Sequence, residues 1–227
     1  MSHYRPKIGI IGGAGPIAGA LLFEKIIESC QRKYGCTHDA DFPYCLLLNY
    51  PFSDVLGSKI EQPLIESQLH ECFSTFSRNE ITIVAIACNT LHAFLPSIPE
   101  NIQLVHLIEE TGRFLALNGW KNPLVLCTST SAKTELHARY FPSRYLEPKE
   151  QAMIDLLVDQ ITIGKDLEQA RDLINQLQIE GPLILGCTEL SLLNDRYPLR
   201  FTNLIDPNQI VAKKICELHF EGLVTVC

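Results

Sequence analysis

Long basic runs, bilayer-length apolar stretches, paired-cysteine spacings and low-complexity tracts are all missing from this 227-residue chain. The net charge is −7, and Lys213-Lys214 is only a pair on a helix face. Phosphate recognition wants clustered Lys and Arg, so no nucleic-acid partner is expected. No apolar run approaches the roughly eighteen residues that cross a bilayer, so no membrane partner is expected either. The opening segment Met1-Ser2-His3-Tyr4-Arg5-Pro6-Lys7 leads into a strand without the apolar core of a signal peptide. The expected location is cytoplasmic. Neither C-x-x-C nor H-E-x-x-H occurs, which removes the usual zinc patterns.

What the chain does have is nine cysteines, an odd number. In a chain with no secretory signal these read as reduced thiols, most of them small core residues. Apolar residues make up 46% and charged residues 20%, a globular balance that suits one large α/β domain or two small ones sharing a cleft. Short apolar runs at 7–11, 45–49, 81–87, 104–107, 124–127, 183–185 and 201–204 predict strands. Amphipathic stretches at 18–30, 62–76, 151–161, 166–177 and 207–220 predict helices between them. This alternation predicts mainly parallel sheets flanked by helices. The prolines of Leu95-Pro96-Ser97-Ile98-Pro99 mark a boundary. We therefore expect one lobe from 1–98 plus 208–227 and a second from 99–207.

Two cysteines stand apart. Cys88, in Ala87-Cys88-Asn89-Thr90, and Cys187, in Gly186-Cys187-Thr188-Glu189, each follow an apolar strand-like run. Open α/β sheets keep their ligands at the carboxyl ends of strands. A cysteine there can also be plain core packing. Two such thiols with polar neighbours suggest a pair of acid/base groups facing one cleft, suited to moving a proton from one face of a carbon to the other. A thiol's reference pKa of about 8.5 lies near working pH. Asn89, Thr90 and Thr188, with a helix N-terminus, are expected to lower it. Cys127 also closes a strand but lacks the following pattern, and reads as packing.

The segment Ile8-Gly9-Ile10-Ile11-Gly12-Gly13-Ala14-Gly15-Pro16 ends one strand and opens a helix. Gly13-Ala14-Gly15-Pro16-Ile17-Ala18 fits the dinucleotide pattern G-x-G-x-x-A, but the second strand ends in Asn49 rather than an acid. A loop receiving a small carboxylate, or a purely structural turn, are the other readings.

With these segments together, and with Cys88-Asn89-Thr90-Leu91-His92-Ala93-Phe94, Gly186-Cys187-Thr188-Glu189-Leu190 and Ile205-Asp206-Pro207, the chain resembles the cofactor-independent aspartate/glutamate racemase family, in its aspartate racemase branch. The resemblance implies two pseudo-symmetric α/β lobes with an active-site cleft between them. It also implies a homodimer, an amino-acid or related carboxylate substrate, and neither pyridoxal phosphate nor metal. On this resemblance Cys88 and Cys187 are the two bases. Asn89, Thr90 and Thr188 are carboxylate donors, and Gly13 and Ala14 form the pocket floor. Asn49 matches an asparagine ending the family's second strand, and Thr128, Ser129 and Thr130 a hydroxyl-rich substrate loop. Glu189 steadies the second thiol or binds an amino group, or is simply an acid in a helix's first turn. His92 tunes the first thiol or serves as a capping residue.

Some positions depart from that branch. Val55 stands where an arginine for the distal carboxylate is expected, Thr162 where a lysine is expected, and Ala14 where methionine is usual. A neutral or differently anchored amino acid therefore enters beside a dicarboxylic one. The alternatives are another enzyme of the superfamily (hydantoin racemase, maleate isomerase or decarboxylase), a catalytically inactive ligand-binding relative, and a nucleotide-binding oxidoreductase.

Overall fold

The computed structural model describes residues 5–53 and 60–221, and two parallel sheets organise them. The first has the order β2-β1-β3-β4, from Cys45–Asn49, Lys7–Gly12, Ile81–Ile86 and Gln103–Leu104. The second has the order β5-β6-β7, from Leu124–Leu126, Leu183–Leu185 and Leu204–Ile205. All pairings are parallel. The expected α/β class with helix-flanked parallel sheets is what forms.

The helices are α1 (Pro16–Tyr34), α2 (Gln62–Arg78), α3 (Leu107–Leu117), α4 (Ser129–Lys133), α5 (Pro148–Thr162), α6 (Leu167–Ile174), α7 (Thr188–Arg196) and α8 (Pro207–Glu221). Pro16 occupies the first turn of α1, where its missing N–H costs nothing. Gly35 ends that helix in the left-handed conformation.

The expected strand at 104–107 is cut short. His106 instead caps α3, its Nδ1 accepting from the N–H of Glu109 at 3.2 Å, so Leu107 is already helical. The first sheet also runs past the proline-marked boundary. Gln103–Leu104 pairs with β3, so the segment expected to open the second lobe at residue 99 still belongs to the first sheet. α8 returns to pack on α1 and α3.

Three apolar clusters explain why the halves stay together. Inward faces of both sheets (Ile8, Ile10 and Ile83 from one, Val125, Ile184 and Ile205 from the other) share a central core with Ile108, Val211 and Ile215. The outer face of the second sheet is covered by α5, α6 and α7, through Ile154, Ile174 and Leu190. The outer face of the first is covered by α2, through Ile65, Leu69, Phe73 and Phe76. Strands buried on both faces need the unbroken apolar runs seen in β1, β3, β5 and β6.

Phe73 is fully buried and Phe23 is 38% exposed, which makes a matched pair of truncations. Phe73→Ala is expected to lower the unfolding free energy by roughly 3–5 kcal/mol. Phe23→Ala should change it by no more than about 0.5 kcal/mol. Urea denaturation followed by circular dichroism checks both.

Candidate active site

The carboxyl ends of β1, β3, β5 and β6 open on one cavity of about 180 Å³. Its walls include Ala14, Gly15, Cys88, Asn89, Thr90, Thr128, Thr162, Gly186, Cys187, Thr188 and Glu189, with Phe52 and Ser53 beyond β2. Both singled-out cysteines are therefore on the same cavity. Each is held by local backbone geometry: Cys88 precedes the 3-10 turn Thr90–Phe94, and Cys187 is the N-cap residue of α7.

Glu189 organises the Cys187 side. The Cys187 thiol donates to Glu189 Oε2 at 2.8 Å, and the Thr188 hydroxyl donates to the same oxygen at 3.3 Å. The other oxygen, Oε1, packs on Gly15, where any Cβ would collide with it. Gly15 has φ +84°, a second reason for glycine at that position. Glu189 is 8% exposed, and among the described residues no lysine, arginine or histidine lies within ion-pair distance of it.

The thiols correct one expectation. Burial pushes Cys88 up to about 12, with the Glu189 charge adding to the rise; the amides of Leu91 and Thr90 and the Thr90 hydroxyl oppose it without prevailing. Cys187 is raised well above the ordinary range, first by burial, then by the charge and hydrogen bond of Glu189. An ionised Cys88 would raise Cys187 further, so the cavity favours at most one thiolate. Lowered thiols were expected from the polar neighbours, but those donors are outweighed by desolvation.

On the Cys88 side a polar network crosses between the sheets. His92 Nδ1 donates to the Cys88 carbonyl at 2.8 Å, and His92 Nε2 accepts from the N–H of Leu107 at 3.3 Å. The imidazole thus staples the Cys88 turn to the start of α3. Burial holds His92 neutral, pushed down to about 3, so it clamps the turn and carries no charge. Thr90 Oγ1 lies 3.2 Å from Ser131 Oγ, and Asn89 Oδ1 lies 3.2 Å from His137 Nε2.

Four residues assigned to the substrate site on resemblance lie outside the cavity lining. Gly13 sits behind it, with φ +106° and its would-be Cβ against the Tyr50 carbonyl. Asn49 ends the edge strand β2 with its side chain exposed. Ser129 gives both its amide and its hydroxyl to Asp155. Thr130 lies on α4 two residues past the N-cap Thr128 and does not reach the lining. Thr162 does line the cavity, but its hydroxyl is spent on the Val158 carbonyl at 2.9 Å. Asp54 and Val55 lie outside the described residues.

Phe52, Ser53 and His137 were not foreseen. Phe52 and Ser53 carry a faint signal, since they follow a strand's carboxyl end. His137 sits in an irregular turn with no pattern around it.

Removing the Glu189 charge tests the electrostatics. A negative neighbour disfavours a thiolate, so Glu189→Gln is expected to lower the pKa of both thiols, with burial still holding them above the free value. Alkylation by iodoacetamide at fixed pH should speed up at both Cys88 and Cys187, read site by site by mass spectrometry. Unchanged rates at both sites would remove Glu189 as their electrostatic partner.

Comparisons with known proteins bear on the family and the fold. The family model described as Asp/Glu/hydantoin racemase matches residues 11–215. The broad specificity amino-acid racemase RacX of Bacillus subtilis (strain 168) is 22% identical over 217 residues, 91% of this chain and 95% of its own. The solved structure of Picrophilus torridus aspartate racemase superposes with a TM-score of 0.75 at 23% identity, covering 93% of each chain. Glutamate racemase from Thermus thermophilus, in complex with β-chloro-D-alanine, gives a TM-score of 0.61 at 18% identity, covering 98% of this chain and 84% of that one. Racemases are isomerases, and with the match spanning nearly its whole length this chain belongs to the Asp/Glu/hydantoin racemase family.

Proposed function

We propose that the protein is an amino-acid racemase needing no cofactor, with Cys88 and Cys187 as alternating acid and base. The observation that carries this reading is the shared cavity: two thiols on one small space, one of them hydrogen-bonded to a buried carboxylate.

The chemistry follows from charge. A zwitterionic amino acid brings an ammonium group that Glu189 lacks as a partner within the described chain. Pairing the two offsets the negative charge that holds the thiols up. One thiol can then give its proton to water, leaving one thiolate and one thiol in the cavity. The substrate carboxylate takes the unpartnered Asn89 Nδ2 and the N-terminus of α7. With the α-carbon between the sulfurs, the thiolate removes the α-proton and becomes a thiol. The thiol on the other face gives its proton to the carbanion and becomes a thiolate. The product is the enantiomer, and the two sulfurs have exchanged protonation states.

The substrate we favour is an amino acid of small or medium, uncharged side chain. The cavity volume, the engaged Thr162 hydroxyl and a lining whose one charged member is Glu189 support that choice among the described residues. A homodimer and a cytoplasmic location belong to the same proposal. Ile17 and Leu47, exposed on α1 and the edge strand β2, supply apolar surface for a second copy. No helix among the described residues is long and apolar enough to cross a membrane.

Exchange of the α-proton for deuterium, followed by NMR across the proteinogenic L-amino acids, tests the reading. The wild type is expected to exchange at least one of them and to yield its enantiomer. Cys88→Ser and Cys187→Ser should each slow racemisation by roughly 10²- to 10⁴-fold, the usual worth of a general acid or base. Wild-type rates in both single variants would end the two-thiol mechanism.

A further inference from the structure

A carboxamide has two faces of opposite polarity, and the side chain that lines the cavity at Asn89 is useful to a carboxylate only if its nitrogen points the right way. Asn89 is 3% exposed, so water does not select the orientation. The selecting group is His137, whose Nε2 lies 3.2 Å from Asn89 Oδ1. Asn89 Nδ2 has no protein partner.

His137 comes from the second lobe, in the 3-10 turn His137–Arg139, and is 1% exposed. Its carbonyl accepts the N–H groups of Tyr140 and Phe141, and its ring rests 6.4 Å from those of Phe141 and Tyr145. Backbone and ring are thus both fixed. Burial pushes its pKa down to about 3, so it is neutral and one ring nitrogen carries the proton. That nitrogen is Nε2, which has an acceptor in reach, whereas Nδ1 has no partner. A buried N–H without an acceptor is the costlier arrangement.

We propose that His137 is a positioning residue: by donating Nε2–H to Asn89 Oδ1 across the lobe interface, it turns Asn89 Nδ2 toward the cavity as a donor for the substrate's carboxylate. Without it the amide rotates by half a turn at little cost and presents Oδ1, which repels a carboxylate. The parallel Thr90–Ser131 contact holds the same turn against the same lobe, so the backbone of Asn89 stays in place when His137 is changed. The inference rests on the racemase reading for the ligand being an amino acid, and on the geometry alone for the amide's orientation.

Two variants separate orientation from packing. His137→Phe keeps a ring between Phe141 and Tyr145 and removes the donor. His137→Gln restores an N–H at about the reach of Nε2. On the fastest-exchanging amino acid of the deuterium panel, His137→Phe is expected to raise KM roughly 10- to 100-fold, the worth of one hydrogen bond to a charged group, with kcat within about threefold of wild type. His137→Gln should return KM to within about threefold. A wild-type KM in His137→Phe overturns the proposal, and so does an equal loss of kcat in both variants, the mark of a packing role.

A second measurement needs no turnover. The Asn89 side-chain NH₂ resonance, assigned through its loss in Asn89→Asp, is followed in ¹H–¹⁵N spectra while glycine is added. It should move in wild type and His137→Gln and stay still in His137→Phe. Equal movement in all three proteins, or movement in none, overturns the proposal. If the wild type racemises no amino acid yet the spectra behave as expected, the positioning role stands and the racemase reading falls.

Discussion

The Glu189 carboxylate has been taken out of water, given the thiol of Cys187 and the hydroxyl of Thr188 as donors, and left without a cation among the described residues. Such a group costs several kcal/mol unless its charge is matched. Much of the site is arranged around that fact. Gly15 is glycine because Oε1 fills the space of its side chain. Both thiols are held neutral partly because of the same charge. Under the proposed function, this uncompensated carboxylate is the charge that a substrate ammonium would match.

The two strand ends that carry the sulfurs converge because the sheets share a core. Ile8, Ile10 and Ile83 pack toward Val125, Ile184 and Ile205, with α8 bridging back to α1 and α3. Parallel strands place their carboxyl ends at the same edge of each sheet, and joining the sheets through a common apolar layer brings the two edges together. Gly186 serves this convergence directly, since a side chain there would strike Val125 and the turn after β5. The polar ties over the core, Asn89 to His137 and Thr90 to Ser131, then fix the register of one lobe's turn on the other.

The chain announced its framework more clearly than its site. The apolar runs at 45–49 and 183–185 became strands with those bounds; the second is buried on both faces, which needs continuous apolar residues, whereas the first is an edge strand whose short apolar run pairs with β1. The strand expected at 104–107 stops at Leu104 because His106 caps a helix, and a capping histidine looks the same in sequence as any other. Cys88 and Cys187 were legible because a cysteine after a strand is a local signal. Gly13, Asn49, Ser129 and Thr130 were carried over on resemblance and lie outside the lining, each displaced by a partner that only the fold supplies: the Tyr50 carbonyl, the open edge of β2, the Asp155 carboxylate and the turn of α4. His137 was invisible because its role depends on a contact with Asn89, 48 residues away in sequence.

The thiols' environment also bears on which ligands can enter. A plain carboxylate approaches a cavity that already holds an unmatched negative charge, and its own charge raises the cost of ionising either sulfur. A plain amine satisfies Glu189 but leaves the Asn89 Nδ2 donor and the α7 N-terminus without an acceptor. On the proposed function, a molecule carrying both groups on one carbon meets both demands and would bring that carbon to the sulfurs. In that proposal the same pairing would make the α-proton more acidic, since the ammonium charge stabilises a carbanion beside it and lowers the thiol that acts as base. Recognition and activation would then be one electrostatic event, consistent with thiols that rest protonated and buried.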